Sequence, residues 1–326
     1  MTERLAQLQD WLKSPAVNMG DYEITPASAD ASFRRYFRLH VDGKTFIVMD
    51  APPDKENCIP FVGIANALLE LGLHVPEIYH QDLEQGFILL SDLGEQQYLQ
   101  VLNNDNVERL YGDALSALMT LQASVDVHYD FPLYDEDLLI SEMNLFRDWL
   151  LQKHLGLQLT NEQSMMLSKT FLWLSESALQ QPQVPVHRDY HSRNLMFLSG
   201  GHNPGIIDFQ DAVIGPVTYD LVSLLRDCYI EWPRQQVEDW VKGYHEQVLQ
   251  SGIISEKDEL QFLRWFDLMG VQRHLKAAGI FARLNHRDGK SDYLNDIPRT
   301  LGYITDVSSR YPELQELNTL LKEISL

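Results

Sequence analysis

The chain has 326 residues, 44% of them hydrophobic and 22% charged, which is the composition of a soluble globular protein. Its formal net charge of −21 argues against a nucleic-acid partner or an anionic membrane surface. No apolar run approaches the ~18 residues that span a bilayer, no signal-peptide core is present, and the two cysteines, Cys58 and Cys228, form no C-x-x-C motif. We therefore expect a cytoplasmic protein with reduced thiols, and we expect it to be a monomer.

The N-terminal part of the chain predicts a small β-rich lobe. Apolar residues recur at helical spacing over 5–12, and Asp42-Gly43 is a two-residue hairpin signal. Residues 25–32 are small and polar, and we expect them to form a loop between two strands. The other predicted elements of this lobe are strands over 33–39, 45–49, 77–80 and 87–90 and a helix over 57–71.

Residues 91–94 end the β pattern, and nearly everything beyond them has helical periodicity. This change predicts an N-lobe over 1–93 that covers the nucleotide and a C-lobe over 94–326 that carries the catalytic and acceptor-binding residues. A nucleotide cleft would then lie between the lobes. The predicted helices of the C-lobe cover 107–122, 137–150, 162–179, 219–227, 237–249 and 259–284.

The segment V-H-R-D-Y-H-S-R-N-L-M-F-L, over 186–198, carries the strongest functional signal. Asp189 and Asn194 fit the pattern H-R-D-x-x-x-x-N of a kinase catalytic loop, and Asp208 follows Asn194 after fourteen residues. In phosphoryl transfer a carboxylate positions the attacking hydroxyl, while an Asn and a second Asp hold Mg²⁺. The order of these residues therefore predicts phosphoryl transfer from a nucleotide.

A predicted hairpin gives this spacing a geometric reason. Short strands over 196–198 and 205–207 flank Gly200-Gly201. Pairing of these strands would place Asn194 and Asp208 side by side at the open end of the hairpin.

Two other interpretations of the motif are open. Asp189 and Asp208 could cap helices while His187 is a buried core histidine. His187 and His191, four residues apart, could instead bind zinc, although no H-E-x-x-H glutamate accompanies them.

The motif, together with I-I-D-F-Q-D and T-Y-D-L, resembles the aminoglycoside phosphotransferase and choline kinase group of the kinase-like fold. The segments D-A-S-F-R-R-Y-F-R-L, V-M-D-A-P-P and Q-R-H-L-K-A-A-G-I-F-A-R-L are more similar to bacterial cell-wall-recycling amino-sugar kinases. Those enzymes phosphorylate the anomeric hydroxyl of N-acetylmuramate and N-acetylglucosamine. The resemblance covers nearly the whole chain. It implies an α+β, protein-kinase-like two-lobe fold, ATP and Mg²⁺ as cofactors, and a small-molecule sugar as acceptor.

The resemblance also implies roles for individual residues. Asp189 would be the catalytic base, and Asp220 would brace its loop. The Mg²⁺ ligands would be Asn194 and Asp208. The adenine would meet the backbone of a hinge formed by Ser91, Asp92 and Leu93.

The nucleotide side departs from the kinase pattern in two ways. No Gly-rich motif covers the phosphates, and Ser28 and Ser32 stand in its place. The third strand ends at Asp50 and lacks the usual Lys. The phosphate contact would pass to Lys55 or to one of three arginines, unless no cation is used. The arginines are Arg34, Arg35 and Arg38, and arginines on a strand are equally typical of a solvated face.

A basic stretch of the C-lobe bears on the acceptor. Residues 264–299 carry a net charge of +3, whereas the whole chain carries −21. Four basic residues of this stretch would share one helical face. They could either bind an anion or balance an acidic surface. These four are Arg273, Lys276, Arg283 and Arg287. We predict acceptor contacts from Arg193, Gln272, Arg273, His274 and Lys276. Arg273 is the candidate for the lactyl carboxylate of N-acetylmuramate, because a guanidinium can hold a carboxylate with two hydrogen bonds.

Other acceptors need other sites. A polycationic aminoglycoside would favour acidic residues, and choline would favour an aromatic cage. An amino-sugar kinase is therefore the first hypothesis, with aminoglycoside-type or choline-type transfer as the alternative. The missing strand Lys leaves a further alternative, a catalytically silent kinase-like binding protein.

Overall fold

The computed structural model describes residues 3–29, 33–124 and 129–324. Contacts divide the chain into two units. The first comprises Met1–Asp113, Val127–Tyr129 and Asn194–Asp211, and the second comprises Ala114–Asp126, Asp130–Arg193 and Ala212–Leu326. The lobe boundary at residue 93 stays a prediction, because the contact units follow a different division.

The strands of the described residues form one sheet of five and two pairs. In chain order they are β1 (Glu23–Ala29), β2 (Arg35–Val41), β3 (Lys44–Asp50), β4 (Ile78–Asp82), β5 (Phe87–Ser91), β6 (Gln183–Val186), β7 (Leu195–Met196), β8 (Gly205–Ile206) and β9 (Val213–Pro216). The five-stranded sheet is antiparallel, with the order β1-β2-β3-β5-β4. β7 pairs with β8, and β6 pairs with β9.

Helices make up most of the second unit. In chain order the α-helices are α1 (Glu3–Lys13), α2 (Ile59–Glu70), α3 (Tyr98–Val101), α4 (Val107–Ala123), α5 (Glu136–Leu145), α6 (Asn161–Leu179), α7 (Tyr219–Leu225), α8 (Arg234–Gln250), α9 (Glu259–Asp288), α10 (Ile297–Ser308) and α11 (Gln315–Glu323). A π-helix over Phe146–His154 continues α5, and short 3₁₀ helices cover Ser291–Asp296 and Pro312–Leu314. The predicted α+β class, with a small sheet and a larger helical part, is confirmed.

The sheet of the first unit is built on local signals that the sequence carries. The β2–β3 hairpin turns at Asp42-Gly43, where φ is 48° and 76°, as a type I′ turn requires. α1 covers the sheet, and Leu8 and Leu12 are fully buried with Leu39 and Phe87. This packing follows from the apolar spacing of α1.

The prediction of a loop over 25–32 is wrong for residues 25–29, which belong to β1. Residues 25–29 are strand, paired antiparallel with β2, and the register shifts between Pro26 and Ser28. A proline and a bulge both weaken the alternating pattern by which a strand is recognised. Residue 32 lies outside the described residues, so the prediction for Ser32 is not addressed by the structure.

α9 is the helix around which the second unit packs. It begins where the carboxylate of Asp258 accepts the N–H of Leu260 at 2.9 Å, and it ends at Gly289, whose φ is 69°. It contacts α5, the π-helix, α6, α7, α8 and α10, so most of its residues between 262 and 284 are buried. Charged residues on this stretch are therefore held inside the protein.

No helix within the described ranges is long and apolar enough to cross a membrane. Cys58 and Cys228 are buried free thiols.

Gly279 marks the closest approach of α9 to another element. A Cβ at this position would lie 2.3 Å from the carbonyl carbon of Leu145 and 2.5 Å from the amide nitrogen of Phe146. These backbone atoms cannot rotate away, so we expect Gly279→Ala to lower the free energy of unfolding by roughly 1–3 kcal/mol through overpacking. Urea denaturation measures the change.

Gly243→Ala in α8 is the matched control, since a Cβ there meets nothing within 4 Å. Alanine is favoured over glycine in a helix by ~0.8–1 kcal/mol, so this variant should gain stability. Equal stabilisation by both substitutions would contradict the close packing at Gly279.

Candidate active site

Two buried aspartates hold the catalytic loop by its backbone. Asp220, in the first turn of α7, accepts the N–H of His187 at 2.6 Å and the N–H of Arg188 at 3.0 Å. Asp227, just beyond the end of α7, accepts the N–H of Ser192 at 2.9 Å. Neither aspartate is exposed. α7 and the residues that follow it therefore fix the loop at two points.

The bracing role predicted for Asp220 is confirmed, whereas Asp227 was not predicted. Its seven-residue spacing from Asp220, which returns to the same helical face after two turns, is the signal that could have found it. Burial raises the pKa of Asp220 to about 6, and the charge of His187 and the two backbone N–H donors oppose this rise. The carboxylate is still mostly ionised at pH 7, which suits its two hydrogen bonds.

Asp189 is an ionised carboxylate at neutral pH. Burial opposes its ionisation, but the charges of Lys276, His191, Arg273 and His187 outweigh burial and lower its pKa to about 2. Burial also lowers the pKa of His191 to about 4, so this ring is neutral at pH 7. Lys276 and Arg273 act on Asp189 without the help of a charge on His191 at this pH.

The helix-capping interpretation of the motif is wrong, because neither Asp189 nor Asp208 immediately precedes a helix. The other part of that interpretation, that His187 is a buried core histidine, is confirmed, since His187 is only 1% exposed. The Nδ1 atom of His187 accepts the N–H of Asp189 at 3.2 Å. The buried histidine thus helps to fix the backbone at Asp189.

A cavity of about 80 Å³ opens beside Asp189 in the second unit. Its volume is several times the ~10–15 Å³ that one water molecule requires. The lining combines one carboxylate and two cations with aromatic and aliphatic surface, as small-ligand sites commonly do. The lining residues are Asp189, His191, Tyr219, Cys228, Tyr229, Arg273, Lys276, Ala277, Ile280 and Phe281.

Glu142, on α5, neutralises the charge of Lys276. This carboxylate is 6% exposed and pairs with Arg188 and, at 3.0 Å, with the Nζ atom of Lys276. Tyr134 donates its hydroxyl hydrogen to Glu142, and Lys276 also donates to the hydroxyl of Tyr219 at 3.0 Å. Burial opposes ionisation of Glu142, but Lys276 and Arg188 outweigh it and lower its pKa. No local motif predicted Glu142.

Arg273 has no such partner among the described residues. It is 5% exposed, and its hydrogen bonding is limited to a 3.8 Å contact from Nη1 to the sulfur of Cys228. Its Nε atom is buried without a partner, and no carboxylate of the described chain forms an ion pair with it. The cavity lining thus holds one cation that is paired directly with a carboxylate, Lys276, and one cation that no carboxylate of the described residues pairs with directly, Arg273.

The structure brings two of the five predicted acceptor residues, Arg273 and Lys276, to the cavity lining. Arg193 lies beside it, with its guanidinium carbon 3.6 Å from the ring centroid of Tyr229. The interpretation as a surface stripe is wrong for Arg273 and Lys276, which are buried. The surface-stripe interpretation fits Arg287, which is exposed and pairs with its neighbour Asp288.

The other two predicted acceptor residues do not line the cavity. Gln272 is fully buried, and its amide nitrogen donates to the hydroxyl of Tyr134 at 3.4 Å. His274 contacts the carbonyl oxygen of Arg226 at 2.8 Å and stacks on Tyr303 with the ring centroids 4.8 Å apart. Both side chains occupy protein contacts on other faces of α9.

The β7–β8 hairpin brings together the two predicted metal ligands in the first unit. The amide nitrogen of Asn194 lies 3.3 Å from Oδ2 of Asp208, and the carbonyl oxygen of Asn194 accepts the N–H of Ile207 at 3.0 Å. Gln210 donates to Oδ1 of Asp208 at 2.7 Å. Phe209, which is fully buried, stacks on Phe61 of α2 with the centroids 5.0 Å apart. The predicted hairpin is confirmed.

This pair fits a magnesium ion. Carboxylate and amide oxygens are the hard donors that Mg²⁺ prefers, and turning the Asn194 amide exchanges its nitrogen for its oxygen. Asp208 has a φ of 65°, which is unfavourable for a residue with a Cβ. Such strain is concentrated at functional sites, where surrounding structure fixes it.

The three arginines predicted as candidates for the phosphate contact all form ion pairs with carboxylates. Arg38 donates to Asp92 at 2.6 and 3.1 Å, and Arg35 pairs with the buried carboxylate of Asp50. Arg34 pairs with Glu56 at 3.2 Å. The solvated-face interpretation is wrong for Arg34 and Arg38, whose side chains are 9% and 12% exposed.

The remaining nucleotide candidates are spread along the first unit. The side chain of Lys55 is 52% exposed and lies 3.7 Å from Asp54. Ser91 ends β5, and its hydroxyl accepts the N–H of Glu77 at 2.8 Å. Leu93 lies near β8, within 3.1 Å of where a Cβ of Gly205 would be. Ser28 lies on β1 opposite Tyr36.

Comparison with known proteins shows which protein family this chain is similar to. A model of the phosphotransferase enzyme family matches residues 23–263. The chain is 48% identical to the N-acetylmuramate/N-acetylglucosamine kinase of Pseudomonas aeruginosa, over 98% of this chain and 97% of that protein. It is 47% identical to the protein of the same name from Pseudomonas putida, over 98% of this chain and 96% of that protein.

Solved structures have the same fold. A choline kinase from Cryptosporidium parvum superposes with a TM-score of 0.65 at 12% identity, over 98% of this chain and all of the other. An aminoglycoside phosphotransferase with ADP bound superposes with a TM-score of 0.57 at 16% identity, over 93% of this chain and 98% of the other. The predicted kinase-like fold is confirmed.

Loss of the Asp220 carboxylate should loosen the catalytic loop. Asp220→Ala leaves the backbone N–H groups of His187 and Arg188 without their acceptor, which we expect to cost roughly 1–3 kcal/mol of unfolding free energy. Hydrogen exchange at these two amides should accelerate.

Urea denaturation and amide exchange measure the two effects. Asp239→Ala on α8 is the control, since Asp239 is exposed. Unchanged exchange at both loop amides would show that another group holds the loop.

Proposed function

The chain belongs to the phosphotransferase enzyme family, and on this premise we propose that it transfers the γ-phosphoryl group of ATP to the anomeric hydroxyl of N-acetylmuramate and N-acetylglucosamine. The names of its relatives support this acceptor class. The observation that carries the proposal is the cavity in which an ionised Asp189 shares the lining with Arg273 and Lys276. We assign the reaction to cell-wall recycling in the cytoplasm, and the monomeric state stays a prediction.

In the proposed reaction Asp189 orients the acceptor hydroxyl. Its carboxylate accepts a hydrogen bond from that hydroxyl, whose oxygen attacks the γ-phosphorus as the bond from phosphorus to the β–γ bridging oxygen breaks. The hydroxyl proton passes to Asp189, and ADP leaves. With a pKa of about 2 Asp189 is a weak base, which suits a loose transition state that needs little proton removal. It also suits the anomeric hydroxyl, the most acidic hydroxyl of a reducing sugar.

Asn194 and Asp208 would hold Mg²⁺ through their side-chain oxygens. When bound, the ion neutralises charge on the phosphate oxygens during transfer. Asn194 follows Asp189 by five residues in the chain, so one short loop carries both the base and the first ligand. This spacing supports their use in a single reaction.

The nucleotide would be bound by the first unit. We assign the adenine to the backbone of Ser91, Asp92 and Leu93, and the phosphates to the segment that contains Ser28 and Ser32. Among the candidate cations, Arg34 is the best substitute for the missing strand Lys, because its pairing with Glu56 reproduces the Lys–Glu pair of kinases. Lys55 is the second candidate and is largely exposed.

Charge decides between the acceptor classes. Glu142 balances the charge of Lys276, but Arg273 has no direct carboxylate partner in the described lining, and its charge disfavours a polycationic aminoglycoside or a quaternary ammonium. A neutral or acidic sugar is compatible with both cations. A catalytically silent protein would have no need of Asp189, Asn194 and Asp208 together.

An acceptor panel tests the proposal. Purified protein is incubated with ATP, Mg²⁺ and either N-acetylated sugars, choline or aminoglycosides, and ADP formation is measured. We expect turnover only with the sugars. Turnover of choline or an aminoglycoside in place of the sugars would overturn the assignment.

Asp189→Asn should lower turnover far more than nucleotide affinity. The amide cannot take the hydroxyl proton, and general acid–base groups typically contribute ~10²–10⁴-fold to the rate. The kcat of the variant and its Kd for ATP, measured by calorimetry, separate the two effects. A variant with weak ATP binding and near-normal kcat would remove Asp189 from the acceptor side.

Asp208→Ala should abolish Mg²⁺-dependent turnover while the protein stays folded. The substitution removes the carboxylate that lies beside Asn194, so no Mg²⁺ concentration should restore the rate. A magnesium titration of activity, with circular dichroism for folding, measures this. Asp105→Ala, at an exposed position of the first unit, is the control. Near-normal activity with the usual Mg²⁺ dependence in Asp208→Ala would rule out the metal role.

A further inference from the structure

Arg273 differs from the other deeply buried cations of the second unit in having no carboxylate partner among the described residues. Lys276 is paired with Glu142 at 3.0 Å, and Arg226 is paired with Asp267 at 2.5 Å. The single hydrogen-bond acceptor for Arg273 is the sulfur of Cys228, at 3.8 Å. A thiol is a weak acceptor, so most of the hydrogen-bonding capacity of this guanidinium is unused.

The charges of Asp189 and Asp227 favour the ionised form of Arg273, but neither carboxylate replaces the hydrogen bonds to water that the buried guanidinium has lost, and such unmade bonds are unfavourable. The two carboxylates whose charges act on Arg273, Asp189 and Asp227, have other partners or roles. Asp227 accepts backbone N–H groups of Ser192 and Tyr229 at 2.9 Å, and Asp189 is assigned to the acceptor hydroxyl. The unsatisfied guanidinium lines a cavity, so an anionic ligand can reach it.

We propose that Arg273 is the receptor for the carboxylate of an acidic sugar, and that it makes the protein favour a carboxylate-bearing acceptor over a neutral one. The inference rests on the proposed sugar kinase function. The lactyl carboxylate of N-acetylmuramate is the group that it would bind, and N-acetylglucosamine lacks that group. Arginine suits the role because its planar fork can hold both oxygens of a carboxylate.

The neighbouring side chains leave this role to Arg273. Lys276 already donates to Glu142 and to Tyr219. Burial lowers the pKa of His191 to about 4 and raises the pKa of the Cys228 thiol, so neither residue is charged at pH 7. A carboxylate that enters the cavity can therefore pair with Arg273, the one cation of the described lining that has no direct carboxylate partner.

The test compares three ligands on the wild type and on Arg273→Met. The ligands are N-acetylmuramate, its methyl ester, which has the same size without the charge, and N-acetylglucosamine. We expect Arg273→Met to lower kcat/KM for the acid by about ten- to a hundredfold relative to the two neutral sugars, the range of a charge-assisted contact. The ratio between sugars cancels any effect of the substitution on Asp189.

Two controls keep the result interpretable. Arg283→Met, on the same helix but outside the cavity lining, should leave the ratio unchanged. Because Arg273→Met removes an unpaired buried charge, its Tm should equal or exceed that of the wild type. A lower Tm with equal losses for all three sugars would make Arg273 structural and overturn the inference.

Sugar binding measured without nucleotide tests the carboxylate receptor independently of the proposed kinase function. Calorimetry measures the Kd of the acid and of its methyl ester, and the wild type should favour the acid whereas Arg273→Met should not. This preference would support the carboxylate receptor even if neither sugar were turned over, in which case the kinase assignment would fail instead. Equal affinity of the wild type for both ligands would overturn the receptor and leave the kinase assignment standing.

Discussion

The catalytic loop is held by hydrogen bonds from its backbone N–H groups to two carboxylates, one in the first turn of α7 and one just beyond the end of that helix. Asp220 and Asp227 are fully buried, and their bonds to His187, Arg188 and Ser192 are 2.6–3.0 Å long. Because α7 packs against α9, the helix that positions the base also contacts the helix that carries the cavity cations. The 3.0 Å bond between Tyr219 on α7 and Lys276 on α9 joins the two directly. The position of Asp189 and the charge of its cavity thus depend on one packing contact.

The distribution of buried charge explains what the cavity can accept. Burial favours the neutral form of Asp189, yet Lys276 and Arg273 keep it ionised, as an acceptor for a sugar hydroxyl must be. Glu142 in turn pairs with Lys276, so Lys276 stays charged while a protein carboxylate already balances its charge. Arg273 is the exception, because no carboxylate of the described residues pairs with it directly, and a buried cation without such a partner contributes little to stability. The proposed acidic acceptor would supply the missing partner.

The sequence predicted those parts of the site that depend on local chemistry. Neighbouring residues encode the β7–β8 hairpin, so the approach of Asn194 to Asp208 followed from their spacing. The pairing of Glu142 with Lys276 joins residues far apart in the chain, and no local pattern announces it. β1 was missed because a bulge breaks its alternation. The basic residues of α9 were predicted to share one face, but burial ends before Arg287 because the last turns of α9 emerge from the core.

The position of the phosphate in the product tests the role proposed for Asp189, which is assigned to one hydroxyl of the sugar. Protein, ATP, Mg²⁺ and N-acetylmuramate are allowed to react, and the product is examined by phosphorus NMR with proton coupling. We expect a phosphorus signal that is split by the anomeric proton. Coupling to the protons of C6, or release of ADP without any phosphosugar, would contradict it.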